Sequence, residues 1–205
     1  MMKDATDLAI TGAANPVPQF SVDWTTHKVD AWQSLLGHLA GTPVRMLEIG
    51  VWEGRSSIHF CEQFLTHPDS RLVCLDPKPQ PVFESNLKAA GVRWRVEFHK
   101  SDSRKHLQQF TDEQFDIAYI DGSHEAADVL RDGLNVLPLM KPGGLMIFDD
   151  YLHNDLPGRH IMPGVGIDCF LQVCAPHYVE EIARDWQITV RVKPDAFPWP
   201  GARAR

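Results

Sequence analysis

The feature that most constrains this chain is a regular alternation. Five apolar runs of strand length, at 45–49, 71–75, 95–98, 115–120 and 144–148, are separated by segments with helical spacing. One such segment covers 57–65, with Ile58, Cys61 and Leu65 on one face. Another covers 82–90, a short one follows Ser103, and the longest runs over 124–140 with a stripe of Ala126, Leu130, Leu134 and Leu137. Strands that alternate with helices in this way build a parallel sheet, with helices on both faces and right-handed crossovers.

The flanks complete the pattern. Residues 11–23 hold two prolines and a glycine and read as an extended lead-in. A helix follows at 28–40, carrying Val29, Trp32, Leu35, Leu36 and Leu39, and Gly41-Thr42-Pro43 stops it. Lys141-Pro142-Gly143-Gly144 reads as a sharp turn. After a helix near 167–173, two strands at 178–183 and 187–192 are joined by Arg184-Asp185, a link short enough for a hairpin. The expected fold is therefore α/β, a doubly wound and mostly parallel seven-stranded sheet with one antiparallel strand in the edge region. We expect one domain over 1–205, with 1–27 as lead-in or lid, 28–193 as core and 194–205 as tail.

Composition excludes several alternatives. At 205 residues and 43% hydrophobic content, the chain is long enough for one sizeable core. A net charge of -7, with both signs interspersed, argues against a nucleic-acid partner, which needs a basic face. No run approaches the roughly 20 apolar residues of a membrane span, and the first ten residues lack a signal-peptide core. A cytoplasmic location is expected. Cys61, Cys74, Cys169 and Cys174 form no C-x-x-C pair and read as reduced thiols.

In an open parallel sheet, ligands bind beyond the carboxyl ends of the strands, near the point where strand order reverses. Chemistry-bearing residues stand at those places here. The first run leads into Glu48-Ile49-Gly50-Val51-Trp52-Glu53-Gly54-Arg55-Ser56-Ser57, in which Gly50 and Gly54 allow a tight turn and close backbone approach, and Ser56 and Ser57 can cap the next helix. The second ends in Asp76, whose carboxylate can accept both hydroxyls of a ribose. The third leads to Ser101-Asp102-Ser103, within reach of a purine edge. Three such ends in order fit an adenosine-containing ligand. Trp52 occupies the place of the middle glycine of a G-x-G-x-x-G loop, which weakens the case for NAD, whose pyrophosphate needs that approach.

Taken as a set, Glu48-Ile49-Gly50 with Gly54, Asp76, Ser101-Asp102-Ser103 and Lys141-Pro142-Gly143-Gly144 resemble the motif series of class I, Rossmann-like S-adenosylmethionine-dependent methyltransferases. The resemblance covers about residues 45–151. It implies that Glu48 and the glycine loop lie by the methionine end, Asp76 by the ribose and Asp102 by the adenine amino group. The implied cofactor-binding set is Glu48, Gly50, Trp52, Gly54, Ser56, Asp76, Ser101, Asp102, Ser103 and Asp121.

The fourth and fifth runs end in Asp121-Gly122-Ser123-His124 and Asp149-Asp150-Tyr151. Three carboxylates converging above neighbouring strands repel one another unless a proton or cation lies among them. An all-oxygen set suits Mg²⁺ first, then Ca²⁺ or Mn²⁺. We therefore expect Asp121, Asp149 and Asp150 as metal ligands, with Asp121 and His124 as catalytic residues and His124 as the general base, its ordinary pKa suiting that role. The arrangement resembles metal-dependent O-methyltransferases of the catechol and macrolide-sugar type. In the catechol enzymes a lysine stands at the position of His124 and an asparagine at that of Asp150; some sugar-modifying relatives carry histidine and aspartate there.

Phe20, Trp24 and His27 before the first helix, and His153, Asn154, Arg159 and His160 after the fifth run, are candidates to shape an acceptor pocket. The expected function is Mg²⁺-assisted O-methylation of a small-molecule hydroxyl, with a homodimer expected on base rates alone. The rivals are a metal-independent methyltransferase acting on an amine or carboxyl, a noncatalytic binding module that keeps the cofactor fold, an NAD-dependent oxidoreductase, and a zinc hydrolase using His124 and His153.

Overall fold

The structure is a computed structural model, and it describes residues 16–111, 114–153 and 162–195. Seven strands form one sheet: β1 Arg45–Ile49, β2 Arg71–Leu75, β3 Val96–His99, β4 Phe115–Ile120, β5 Met140–Phe148, β6 Val179–Arg184 and β7 Ile188–Val192. Their order is β3-β2-β1-β4-β5-β7-β6. The first five pair in parallel, while β7 runs antiparallel to both β5 and β6. The expected doubly wound sheet and its single antiparallel strand are both present. Strand order reverses between β1 and β4, so the crevice lies beyond Ile49 and Ile120.

Alternation along the strands sends side chains into two apolar layers. Leu47, Ile49, Ala118 and Ile120 face α5 (Ala126–Val136) and α6 (Pro163–Cys174). Met46, Ile117 and Tyr119 face the other layer with α1 (Val29–Leu36), α2 (Arg55–Gln63) and α3 (Phe83–Ala89), where Trp32, Phe60 and Phe64 are fully buried. The short α4 (Ser103–His106) follows β3. Cys61, Cys74 and Cys174 are buried and all four thiols are free, as expected. Among the described residues no helix is long and apolar enough to cross a membrane.

Several boundaries differ from expectation, among them the start of α6, which lies at Pro163 rather than near 167. Lys141-Pro142-Gly143-Gly144 is not a turn before the fifth strand but a bulge inside it. Phe115 pairs with Met140 and Ile117 with Leu145, and Gly143 takes φ +80° to absorb the extra residues. The helix expected over 124–140 starts at Ala126 and ends at Val136, where a 3₁₀ turn containing Pro138 takes over, so that α6 is the longer of the two. The first helix is shortened to α1 by 3₁₀ turns at Thr26–Lys28 and Gly37–Leu39. Ser56 and Ser57 do not cap α2; Gly54 is its N-cap, at φ +84°. The N-terminal residues 1–15, the tail from 196, and Asn154, Arg159 and His160 lie outside the described residues.

Close packing of α5 against α6 requires Gly166. A Cβ there would lie 2.2 Å from the carbonyl oxygen of Ala126, a backbone atom that cannot swing aside. In an open helix Gly→Ala stabilises by about 1 kcal/mol. Here the clash reverses the sign, and Gly166→Ala is expected to destabilise by about 2 kcal/mol, read as a lower urea midpoint at unchanged slope. A raised midpoint would show that the helices part without cost.

Candidate active site

Hydrogen bonding that continues one residue past the strands places the site. The N–H groups of Gly50, Asp76, Asp121 and Asp149 donate to the carbonyls of Leu75, His99, Ile49 and Ile120, at 2.9, 3.3, 2.9 and 3.0 Å. Each is the first residue beyond its strand, so the ladder itself positions these four side chains or turns.

Gly50 has no substitute. It takes φ +86°, and a Cβ would lie 2.1 Å from the carbonyl oxygen of Asp121. Trp52 also adopts the left-handed region, at φ 47°, which costs a non-glycine residue roughly 1–2 kcal/mol. The surroundings hold it there. Gln80 N–H donates to its carbonyl at 3.0 Å, while Asp76 Oδ2 accepts from the N–H of Val51 at 3.0 Å and of Trp52 at 3.4 Å. The Trp52 ring is 44% exposed and lies 5.7 Å from the ring of Trp24. Asp76 Oδ1 accepts from Lys78 N–H at 2.6 Å.

These groups surround a cavity of about 350 Å³. Of the residues expected to hold the cofactor, Gly50, Trp52, Asp76, Asp102 and Ser103 line it, whereas Glu48, Gly54, Ser56, Ser101 and Asp121 do not. Asp102 caps α4 by accepting from Arg104 N–H at 2.9 Å, and its carboxylate also pairs with the Arg104 guanidinium at 2.6 Å. Arg104 thereby holds the carboxyl below its usual range. Sequence reasoning missed Lys78, Arg131 and Asp132 in this wall. Asp132 is buried and accepts from Ser103 Oγ at 2.7 Å, and burial pushes its pKa up to about 6. Its mid-helix position gave no sign of this role.

Glu48 supports the loop from beneath. It is fully buried on the α1–α3 face and accepts from Ser56 Oγ at 2.6 Å and Ser57 Oγ at 2.5 Å. Burial raises its pKa to about 7 against these hydrogen bonds.

Beside the cavity, across Gly122 and Ser123, the acidic residues converge. Ligand atoms of Asp121, His124 and Asp150 all lie within 4.8 Å of one another. His124 Nε2 lies 2.8 Å from Asp150 Oδ2. That hydrogen bond raises the histidine pKa despite partial burial. Burial alone would raise the Asp150 pKa, but His124, with Lys28 and His153 adding to it, turns the shift downward. The ring of His153 stacks on His124 at 4.9 Å. Asp121 Oδ2 lies 3.0 Å from the Tyr119 hydroxyl, whose single proton goes to Asp149, and the Asp121 pKa is raised by burial and then by the Asp149 charge. Burial and the two carboxylates push the Tyr119 hydroxyl up as well, so it remains a donor at neutral pH.

Asp149, expected as a third ligand, is placed differently. It is 3% exposed and paired with the Lys28 ammonium, a partner the sequence gave no reason to choose. Of the lead-in candidates, Trp24 and His27 are exposed, while Phe20 packs against the core and under the Arg55 guanidinium, 5.1 Å away.

Comparison with known proteins fits this architecture. Residues 47–151, just over half the chain, match a family model described as a methyltransferase domain. The chain belongs to this methyltransferase family. Among solved structures it is similar to an O-methyltransferase from Bacillus cereus in complex with SAH, at 22% identity, a TM-score of 0.68 and 83% coverage of each chain. It is also similar to the O-methyltransferase TomG from Streptomyces achromogenes, involved in tomaymycin synthesis and in complex with SAM, at 23% identity, a TM-score of 0.62 and 80% coverage of each chain. These likenesses carry the fold. Among curated proteins no sequence matches.

The burial of Glu48 gives the methyltransferase a distinctive pH dependence. Unfolded, the carboxyl titrates near 4.5; folded, near 7, so between these values the folded state binds more protons. Its contribution to stability is present below the lower value and fades as pH rises through the upper one. Glu48→Gln removes the effect. Urea unfolding from pH 5 to 8 is expected to show the parent chain losing on the order of 3 kcal/mol relative to the variant. Parallel pH profiles would contradict the buried acid as its cause.

Proposed function

We propose that this methyltransferase uses S-adenosylmethionine and transfers its methyl group to a hydroxyl of a small molecule. The observation that carries the reading is one cavity walled by Gly50, Trp52, Asp76 and Asp102 that opens, across Gly122 and Ser123, beside Asp121, His124 and Asp150. When bound, S-adenosylmethionine supplies a methyl group on a sulfonium whose sulfur leaves as a neutral thioether. Asp76 keeps one acceptor position for a ribose hydroxyl, because the N–H groups of Val51, Trp52 and Lys78 take three of the roughly four that a carboxylate offers. We assign Ser103 and Asp102, which line the same cavity, to the adenine. Glu48 acts through the loop it supports.

The acceptor must be aligned and its proton removed. With Nε2–H donated to Asp150, the neutral imidazole of His124 leaves Nδ1 as the proton acceptor. Asp150 fixes that tautomer and stabilises the imidazolium formed, which makes the pair a general base with its orienting carboxylate. The donor set also fits a divalent cation, with one change from the expected ligands. Asp121 and Asp150 would hold Mg²⁺, and the ion would lower the pKa of an acceptor hydroxyl. Asp149 already accepts from Lys28, Tyr119, Gln187 and the Asp150 N–H. We read 1–205 as one domain working in the cytoplasm on small molecules rather than nucleic acid, in keeping with its charge of -7.

Calorimetric titration with S-adenosylmethionine and with NAD tests the cofactor. Binding of the first alone is expected, weakened roughly tenfold or more in Asp76→Asn. Failure of the folded protein to bind S-adenosylmethionine would overturn the reading. Methyl transfer to a panel of phenolic and sugar hydroxyls tests the base. His124→Ala is expected to lower kcat by about 10²–10⁴ while leaving cofactor affinity unchanged. Activity confined to amines or carboxyls would reassign the acceptor.

A further inference from the structure

Nothing in the sequence around Lys28 marks it, yet its side chain is only 6% exposed and its ammonium lies inside the acidic cluster. It stands at the end of the 3₁₀ turn that leads into α1, 121 positions before its partner. The ammonium pairs with Asp149 Oδ2 and lies 3.3 Å from the Tyr119 hydroxyl. The same Oδ2 accepts from that hydroxyl. Oδ1 accepts from Asp150 N–H at 2.8 Å and from Gln187 Nε2 at 3.1 Å. Gln187 is turned for this by the Trp32 indole, which donates to its Oε1 at 2.8 Å. All four acceptor positions of the carboxylate are thus committed.

The charges point the same way. Asp121, Asp149 and Asp150 crowd together, and a buried carboxylate persists only with a partner. With Lys28 neutralising Asp149, Asp121 and Asp150 are the carboxylates left to face a cation. A metal ion drawn to Asp149 would have to displace both the ammonium and the hydroxyl that donates to the same oxygen.

We propose that Lys28 supplies from within the chain the positive charge that Asp149 would otherwise take from a metal ion, which makes Asp149 a positioning residue and not a ligand. The proposal rests on the reading of Asp121, His124 and Asp150 as the groups that face the acceptor. Through this pair the start of α1 is fastened to the end of β5, and the backbone N–H of Asp150 is held by the carboxylate beside it.

Titration of Mn²⁺, followed by its paramagnetic resonance signal in protein saturated with SAH, separates the alternatives. Asp149→Asn alone leaves the Lys28 ammonium uncompensated beside the ion, so the charge-conserving Lys28→Met/Asp149→Asn is the comparison: it is expected to bind Mn²⁺ within about threefold of the parent chain, whereas loss of a true ligand costs roughly tenfold or more. Lys28→Met exposes the carboxylate to the ion and is expected to bind Mn²⁺ at least about tenfold more tightly. Adding Asp149→Asn to it should abolish that gain. Tenfold weakening in Lys28→Met/Asp149→Asn, or unchanged or weaker binding by folded Lys28→Met, would overturn the proposal. If circular dichroism shows Lys28→Met unfolded, Lys28→Gln takes its place under the same criteria, since it retains a donor without the charge. SAH affinity, measured across the set, reports separately on the cofactor reading.

Discussion

The site depends on backbone hydrogen bonds that run one step further than the strands. Gly50, Asp76, Asp121 and Asp149 each donate an N–H to the neighbouring strand after their own strand has ended. A side chain on a free loop loses entropy when it is ordered for binding; one fixed by a sheet ladder has already lost it during folding. The register of five parallel strands therefore decides which carboxylates meet. Shifting β4 by one residue would send Asp121 to the opposite face, because side chains alternate.

Much of this was legible in the sequence because it rests on short-range rules. The five runs, the short link before β7 and the acid at each strand end are local patterns, and the sheet brings them together in the order that parallel topology demands. Trp52 was also legible, as a bulky residue in a glycine's place. The structure shows the cost, since the tryptophan takes a glycine's backbone angles and is held there by Asp76 and Gln80. The bulge in β5 was less accessible. A Pro-Gly-Gly run has the same chemistry in a turn and in a bulge, and only the pairing of Phe115 with Met140 distinguishes them.

The buried polar residues were not legible at all. Tyr119 and Gln187 sit in apolar segments, Lys28 opens an amphipathic helix, and each looks unremarkable beside its sequence neighbours. Their partners come from strands and helices 30 to 155 positions away. Glu48 is the partial case. Its place before the glycine loop marked it as functional, but only the structure shows that it faces inward, toward Ser56, Ser57 and Cys74, and away from the cavity.

Glu48, Tyr119, Lys28, Trp32 and Gln187 together form a polar layer within the otherwise apolar α1–α3 face. Burying ions in this way stabilises a fold poorly, since desolvation cancels most of the attraction between them. What such a network does well is discriminate, because a displaced α1 would leave Lys28 and Asp149 as unpaired buried charges. Apolar contacts between Trp32, Phe60 and Tyr119 tolerate sliding; the hydrogen bonds from Trp32 to Gln187 and from Gln187 to Asp149 do not. The same residues that make the layer costly therefore fix where the lead-in crosses the open end of the sheet. Trp24, four residues before Lys28, is thereby held beside Trp52 at the mouth of the cavity.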